Sequence, residues 1–203
     1  MTFISHFLKK RCNFAQVKIA DNMNNNRIFL VGYMGSGKSS VGRLLAKKTG
    51  WPFIDLDLFI ENRYRKSVSQ IFSENGETVF REMEQHILRE VSLFEQAVIS
   101  TGGGTPCFHN NMALMKQSGI TIYLKVSIPE LTKRLEASKH SRPLIKNKTK
   151  EDLAAFITEN LKVREVFYNA ADMILDIDTL LPPVTADGIA TQLKYDLHNI
   201  LLA

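Results

Sequence analysis

The sequence predicts an α/β protein, a single sheet of parallel strands with helices on both faces, in three layers. Short, unbroken apolar runs alternate with longer stretches of helical periodicity, the mark of that class. The first apolar run leads directly into Gly32-Tyr33-Met34-Gly35-Ser36-Gly37-Lys38-Ser39, a strand-to-helix turn rich in glycine. The chain has 203 residues, 44% of them hydrophobic and 23% charged, enough for one full core and too few for two.

Each element has its own justification. Residues 28–31 form a continuous apolar run that ends at Gly32, as a strand buried on both faces should. Val41, Leu44, Leu45 and Lys48 then recur at helical spacing, and Gly50 supplies a stop. Residues 52–56 read as a second strand ending in acid. Residues 77–92 make the clearest helix, with Val79, Phe80, Met83, Ile87, Leu88 and Val91 in one stripe. Further strands fall at 97–100, 120–124 and 173–175. Ser127-Ile128-Pro129-Glu130 reads as a capping-box helix start with proline in the first turn, and another helix begins near Thr149. After Pro182-Pro183, residues 185–201 form a last helix that buries Ile189, Leu193, Leu197 and Ile200.

Residues 1–22 stand apart. Phe3, Ile4, Phe7 and Leu8 precede Lys9, Lys10 and Arg11, the reverse of a secretory signal, and no small-residue cleavage site follows. They read as a dispensable extension with Met23 as the working start. The expected organisation is a flexible segment over 1–25 and one domain over 26–203. No apolar run reaches the roughly 18 residues that a membrane span needs. The net charge of +5 is mild and its lysines and arginines are scattered, which argues against a nucleic-acid partner. Cys12 and Cys107 have neither metal-type nor redox-type spacing and read as reduced thiols of a cytoplasmic protein.

Residues 32–39 match G-x-x-x-x-G-K-[ST] in full. Glycine at Gly35 and Gly37 lets the backbone curl until its N–H groups, those of Ser36 and Ser40 among them, face a phosphate. The helix that starts near Lys38 directs its positive end at the same place. Lys38 is expected at the β- and γ-phosphates of ATP, and the Ser39 hydroxyl on Mg²⁺. A GTPase would carry N-K-x-D, but Asn147-Lys148-Thr149-Lys150 lacks the acid. A motor ATPase would end a later strand in Asp, yet residues 97–100 run into Thr101-Gly102-Gly103-Gly104. Both absences favour a small-molecule kinase.

Asp55 and Asp57 end the second strand, and period-2 alternation would turn both carboxylates to one side at the sheet's carboxyl edge. One is placed to hold Mg²⁺ and the other to orient or deprotonate an acceptor hydroxyl. Alternatively, Asp57 caps a helix over 58–64; the two roles are compatible. Arg81 lies one turn from Glu77 and Glu84, a spacing that by itself describes a solvated ion-pair ladder. Gly102, Gly103 and Gly104 offer a backbone wall that a substrate can approach closely. Residues 137–150 are polar, basic and aperiodic, either a linker or a lid that brings Arg142 over the phosphates, with Pro143 holding Arg142 extended. Arg164 and Tyr168 sit one turn apart, and Arg164 suits a bidentate carboxylate grip.

Together these segments resemble the shikimate kinases, a family of the nucleoside-monophosphate-kinase-like P-loop fold. The likeness runs through residues 32–39, Asp55-Leu56-Asp57, and Ile71-Phe72 through Gly76-Glu77 to Phe80-Arg81 and Glu84. It continues in Gly102-Gly103-Gly104, Ser141-Arg142-Pro143-Leu144, and Arg164 with Tyr168. The resemblance implies a five-stranded parallel sheet in order 2-3-1-4-5 and transfer of the ATP γ-phosphate to the 3-hydroxyl of shikimate. By the same likeness, Asp57 would bind the shikimate hydroxyls, and Arg81 and Arg164 its carboxylate. Gly103 would touch it through the backbone, Arg142 would serve the nucleotide, and Asp55 would organise Mg²⁺ with Ser39. The family also implies a monomer. Two departures accompany it: Tyr33, where Phe is frequent, and the N-terminal extension. A gluconate kinase on the same fold and a noncatalytic nucleotide switch are the competing readings.

Overall fold

The computed structural model describes residues 26–138, 145, 148–180 and 185–201. Five strands form one parallel sheet: β1 (Asn26–Val31), β2 (Phe53–Asp55), β3 (Gln96–Ser100), β4 (Ile120–Lys125) and β5 (Met173–Asp176). Their order is β2-β3-β1-β4-β5, as expected. β1 is the middle strand, paired Ile28 to Val98 of β3 on one side and Ile28 to Ile120 of β4 on the other. Ile28, Phe29, Leu30 and Val31 are all buried, which is why this strand reads as an unbroken apolar run.

Seven α-helices connect and flank the strands among the described residues: α1 (Lys38–Thr49), α2 (Leu56–Tyr64), α3 (Val68–Val91), α4 (Asn111–Ser118), α5 (Ile128–Ala137), α6 (Lys150–Tyr168) and α7 (Ala186–Leu201). The chain moves from β1 out to β2 and then back across the sheet. Right-handed crossovers therefore put α1 on one face and α3 and α4 on the other. α7 returns to pack against α1 and buries Ile189, Leu193 and Leu197.

Three local expectations need correction. β2 stops at Asp55 and α2 already starts at Leu56, so alternation along a strand does not relate Asp55 to Asp57. The helix cap is Asp55, whose carboxylate accepts from the Leu58 N–H, while Asp57 lies in the first turn. The early turn buries Leu56 completely. The helix foreseen from residue 77 starts nine residues sooner, behind a Ser67–Gln70 capping box, and kinks at Gly76. Its buried stripe runs through Phe80, Arg81, Glu84, Ile87, Leu88 and Val91, leaving Val79 39% exposed. Two ionisable side chains thus take inward positions that an apolar count passes over. The capping box at Ser127 is also absent. Its side chain makes no cap bond, its N–H donates to Asp178 at 2.9 Å, and Glu130 accepts from Arg134 instead. The box appears one helix later, where Thr149 and Asp152 bond reciprocally.

The extension, Cys12, Arg142, Pro143 and most of the foreseen lid lie outside the described residues. Among those described, no helix is long and apolar enough to cross a membrane.

Candidate active site

β1 delivers the glycine-rich turn to the carboxyl edge of the sheet, beside the ends of β3 and β4. Gly35 and Gly37 have φ of 82° and 97°, the left-handed region where a side chain is strained, and Gly37 leads into the first turn of α1. Lys38 is buried, and its ammonium donates to the Gly32 and Tyr33 carbonyls at 2.8 and 2.9 Å, so the lysine folds back over its own loop. Ser36 is buried with its hydroxyl unpartnered among the described residues, whereas Ser40 is exposed. Arg134 on α5, ion-paired with Glu130, reaches the loop; a Cβ on Gly37 would lie 4.0 Å from its Nη1.

Ser39 donates to Asp55 Oδ2 at 2.7 Å, and its Oγ stands 3.3 Å from the Ser100 hydroxyl at the end of β3. Two hydroxyls and a carboxylate make an all-oxygen set with a single anion. Such a set fits a hard cation such as Mg²⁺ that takes its remaining ligands from phosphate and water. Among the described residues no cluster of three or more His, Cys, Asp and Glu offers a closed metal cage. Ser100 escaped the sequence reading because it looks like the tail of a buried strand.

Asp57 opens into the cleft beside this set. Loss of hydration among the surrounding protein raises its pKa from 3.8 to about 6. Glu84, Asp55 and Glu61 push the same way, and Lys38 opposes them. Asp57 is itself exposed, so water screens part of that repulsion. A Cβ on Gly102 would come within 2.9 Å of Asp57 Oδ1 and 3.1 Å of Glu84 Oε1, so glycine is required there for close approach.

Behind Asp57 lies a buried ionic cluster. Arg81 Nη1 donates to Glu84 at 2.9 Å and Arg81 Nη2 to Glu77 at 3.0 Å, the two partners foreseen. Only the Glu77 end of the ladder is solvated: Glu77 is 57% exposed in its side chain, whereas Arg81 is 8% exposed and Glu84 1%. The second Glu84 oxygen accepts from Thr105 at 2.6 Å. Phe108 covers the Arg81 guanidinium at 4.2 Å, with Phe80 and Phe72 at 5.2 and 5.7 Å. A Cβ on Gly104 would lie 2.5 Å from Arg81 Nη2.

Arg164 approaches from α6, with its guanidinium 5.7 Å from the Tyr33 ring. Tyr168 is fully buried and donates to the Gly103 carbonyl at 2.6 Å, tying α6 to the glycine wall. Cys107 sits within the fields of Arg164 and Arg81. Burial nevertheless dominates and pushes its thiol up to about 11, so it is a poor nucleophile. Gly103 in turn lies against the P-loop, where a Cβ would be 3.3 Å from the Met34 nitrogen. Of the sequence-predicted residues, Gly35, Ser36, Gly37, Lys38, Ser39, Asp55, Asp57, Arg81, Gly102, Gly103, Gly104 and Arg164 thus belong to one continuous region. Glu84, Ser100, Thr105, Phe108 and Arg134 join them, and of these Glu84 alone carried a sequence signal, as part of the Phe80-Arg81 motif.

Comparison with known proteins agrees with this geometry. The family model for shikimate kinase matches residues 34–194. A shikimate kinase of Parabacteroides distasonis is 53% identical over 167 residues, 82% of this chain and 96% of its own. The crystal structure of shikimate kinase from Bacteroides thetaiotaomicron superposes with a TM-score of 0.80 at 43% identity, over 85% of this chain and 98% of that one. Shikimate kinase from Acinetobacter baumannii in complex with shikimate gives 0.74 at 32% identity, over 89% and 97%. On motif, fold and relatedness alike, the chain belongs to the shikimate kinase family, ATP-dependent kinases that act on shikimate.

Proposed function

We propose the following division of labour for transfer of the ATP γ-phosphate to the 3-hydroxyl of shikimate, the reaction that feeds chorismate and aromatic amino acid synthesis. The loop N–H groups of Gly35 to Ser40 and the Lys38 ammonium bind the β- and γ-phosphates. Lys38 leaves the Gly32 and Tyr33 carbonyls to do so. Ser39 and Asp55 would hold Mg²⁺, which when bound would supply positive charge against the phosphates. Asp57 binds the acceptor hydroxyls and draws the proton from the attacking oxygen. A carboxylate whose pKa is near 6 is ionised at neutral pH and a stronger base than an ordinary one. Arg81 and Arg164 grip the substrate carboxylate, Gly102 to Gly104 line its backbone side, and Arg142 neutralises charge on the phosphates. Positioning and charge carry most of the rate, since phosphoryl transfer asks little covalent chemistry of the protein.

One observation supports this reading above the others: the backbone of Gly102 to Gly104 abuts Asp57, the P-loop at Met34 and the Arg81 guanidinium in turn, so acceptor-side and phosphate-side groups converge on one region. Action as a cytoplasmic monomer is part of the same proposal. A coupled ADP-release assay over a panel of hydroxy acids tests it. Release with shikimate should far exceed release with gluconate or AMP, and EDTA should abolish it. Comparable rates with gluconate would reassign the acceptor, and binding without turnover on any acceptor would make the protein a switch.

A further inference from the structure

We infer that Phe108 is a positioning residue for the acceptor carboxylate, acting through Arg81. The inference rests on the proposed role of Arg81 and adds to it a part of the site that no motif contains.

Arg81 is already held along its edges. Glu84 takes Nη1 at 2.9 Å, and Glu77 takes Nε and Nη2 at 3.3 and 3.0 Å. Those contacts leave the flat face of the guanidinium to be settled. Phe108 covers it at 4.2 Å, closer than Phe80 or Phe72, which come from the same helix as Arg81. A ring over a guanidinium attracts it through the π face and keeps water from it. It also fixes the tilt of the plane, and therefore where the N–H groups point. The edge beside Gly104 then meets backbone with no side chain between them.

The segment that carries Phe108 is built to hold it there. After the short 3₁₀ turn Thr105–Cys107 the chain passes through His109 and Asn110, with φ of 49° and 60°. Two consecutive non-glycine residues in the left-handed region are costly, and such strain persists only where surrounding contacts over-determine it. Those contacts are present. Gln85 donates to the His109 carbonyl at 3.0 Å, Asn111 donates to the Thr105 carbonyl at 3.0 Å, and Thr105 is bound to Glu84. Both Gln85 and Glu84 lie on α3, the helix of Arg81, so the loop is pinned to the element whose arginine it covers.

The test is steady-state kinetics on F108A, F108L and F108W, with R81A beside them. For F108A the shikimate KM should rise about five- to tenfold while kcat and the ATP KM stay within about twofold. F108L, which keeps the apolar bulk but not the ring, should resemble F108A, and F108W should return the shikimate KM to within about twofold of the unaltered enzyme. A shikimate KM unchanged in F108A, or restored by F108L as well as by F108W, overturns the inference. R81A separates the two levels. If it leaves the shikimate KM unchanged, the reading of Arg81 falls and Phe108 with it. If it raises that KM while F108A does not, Phe108 alone is wrong.

Discussion

At the residue scale Asp57 has the most to decide. Its pKa is raised in the folded chain, so between about pH 4 and 6 the folded form keeps a proton that the unfolded form has lost. Folding stability therefore declines as pH rises through that window and levels off above it. Activity should move the other way, since a base must be ionised: kcat/KM for shikimate should climb from pH 5 to 7 with a midpoint near 6. D57N should lose that limb and about 10²- to 10⁴-fold in rate. In urea at pH 7 it should be slightly more stable, by about 1 kcal/mol or less because cleft water screens the repulsion. An unchanged rate in D57N would remove Asp57 from the chemistry. Lys38 and Ser39 were legible in the sequence because phosphate binding imposes a contiguous pattern. The Asp57 environment was not, because Glu84, the strongest of the charges that raise its pKa, reaches it from another helix, α3.

At the element scale α3 carries Glu77, Arg81 and Glu84, and Gly76 sets its course. With φ 78° and ψ 174° this residue occupies a region that essentially only glycine visits, and the helix kinks there. Space is no obstacle, since a Cβ would have nothing within 4 Å; the penalty for a side chain is one of backbone conformation. G76A should lower the unfolding free energy by about 1–3 kcal/mol in urea titrations. Because Glu77 and Arg81 follow within two turns, the shikimate KM should rise in step. A variant as stable as the parent would show that the kink is easily relaxed. The apolar stripe announced this helix but not its true start, and the reason is local. Ser67 and Gln70 form the capping box that begins it, while the eye is drawn to the glycine in its middle. Asp55 and Asp57 show the converse case. Their nearness was legible and the cause given for it was wrong, because the strand stops at Asp55 and Asp57 already lies in the first turn of α2.

For the whole molecule the strand order has a thermodynamic corollary. β1 is central and leads into the P-loop, β2 ends at Asp55 with Asp57 in the first turn of α2, β3 leads into the glycine wall, and α6 brings Arg164. Ligands in such a cleft bind only the folded chain, so each should raise stability, by about 2.7 kcal/mol at a concentration a hundred times its Kd. Thermal unfolding should therefore shift upward with MgATP and, separately, with shikimate. R164A should keep the first shift and lose most of the second. Loss of both shifts would mean that Arg164 holds the fold rather than the acceptor. Strand order was foreseen through likeness rather than periodicity. Alternation of strand and helix establishes the class, but the neighbours of each strand depend on pairings far apart in the chain.

The glycine wall also bears on how this enzyme would respond to drugs. A compound that fills the acceptor pocket and takes its hydrogen bonds from the main chain of residues 102–104 leaves few routes to resistance. Any side chain added at Gly102 presses on Asp57 and Glu84, and at Gly104 on Arg81. With Asp57 and Arg81 in their proposed roles, a substitution at Gly102 or Gly104 that evicts such an inhibitor would damage turnover at the same stroke.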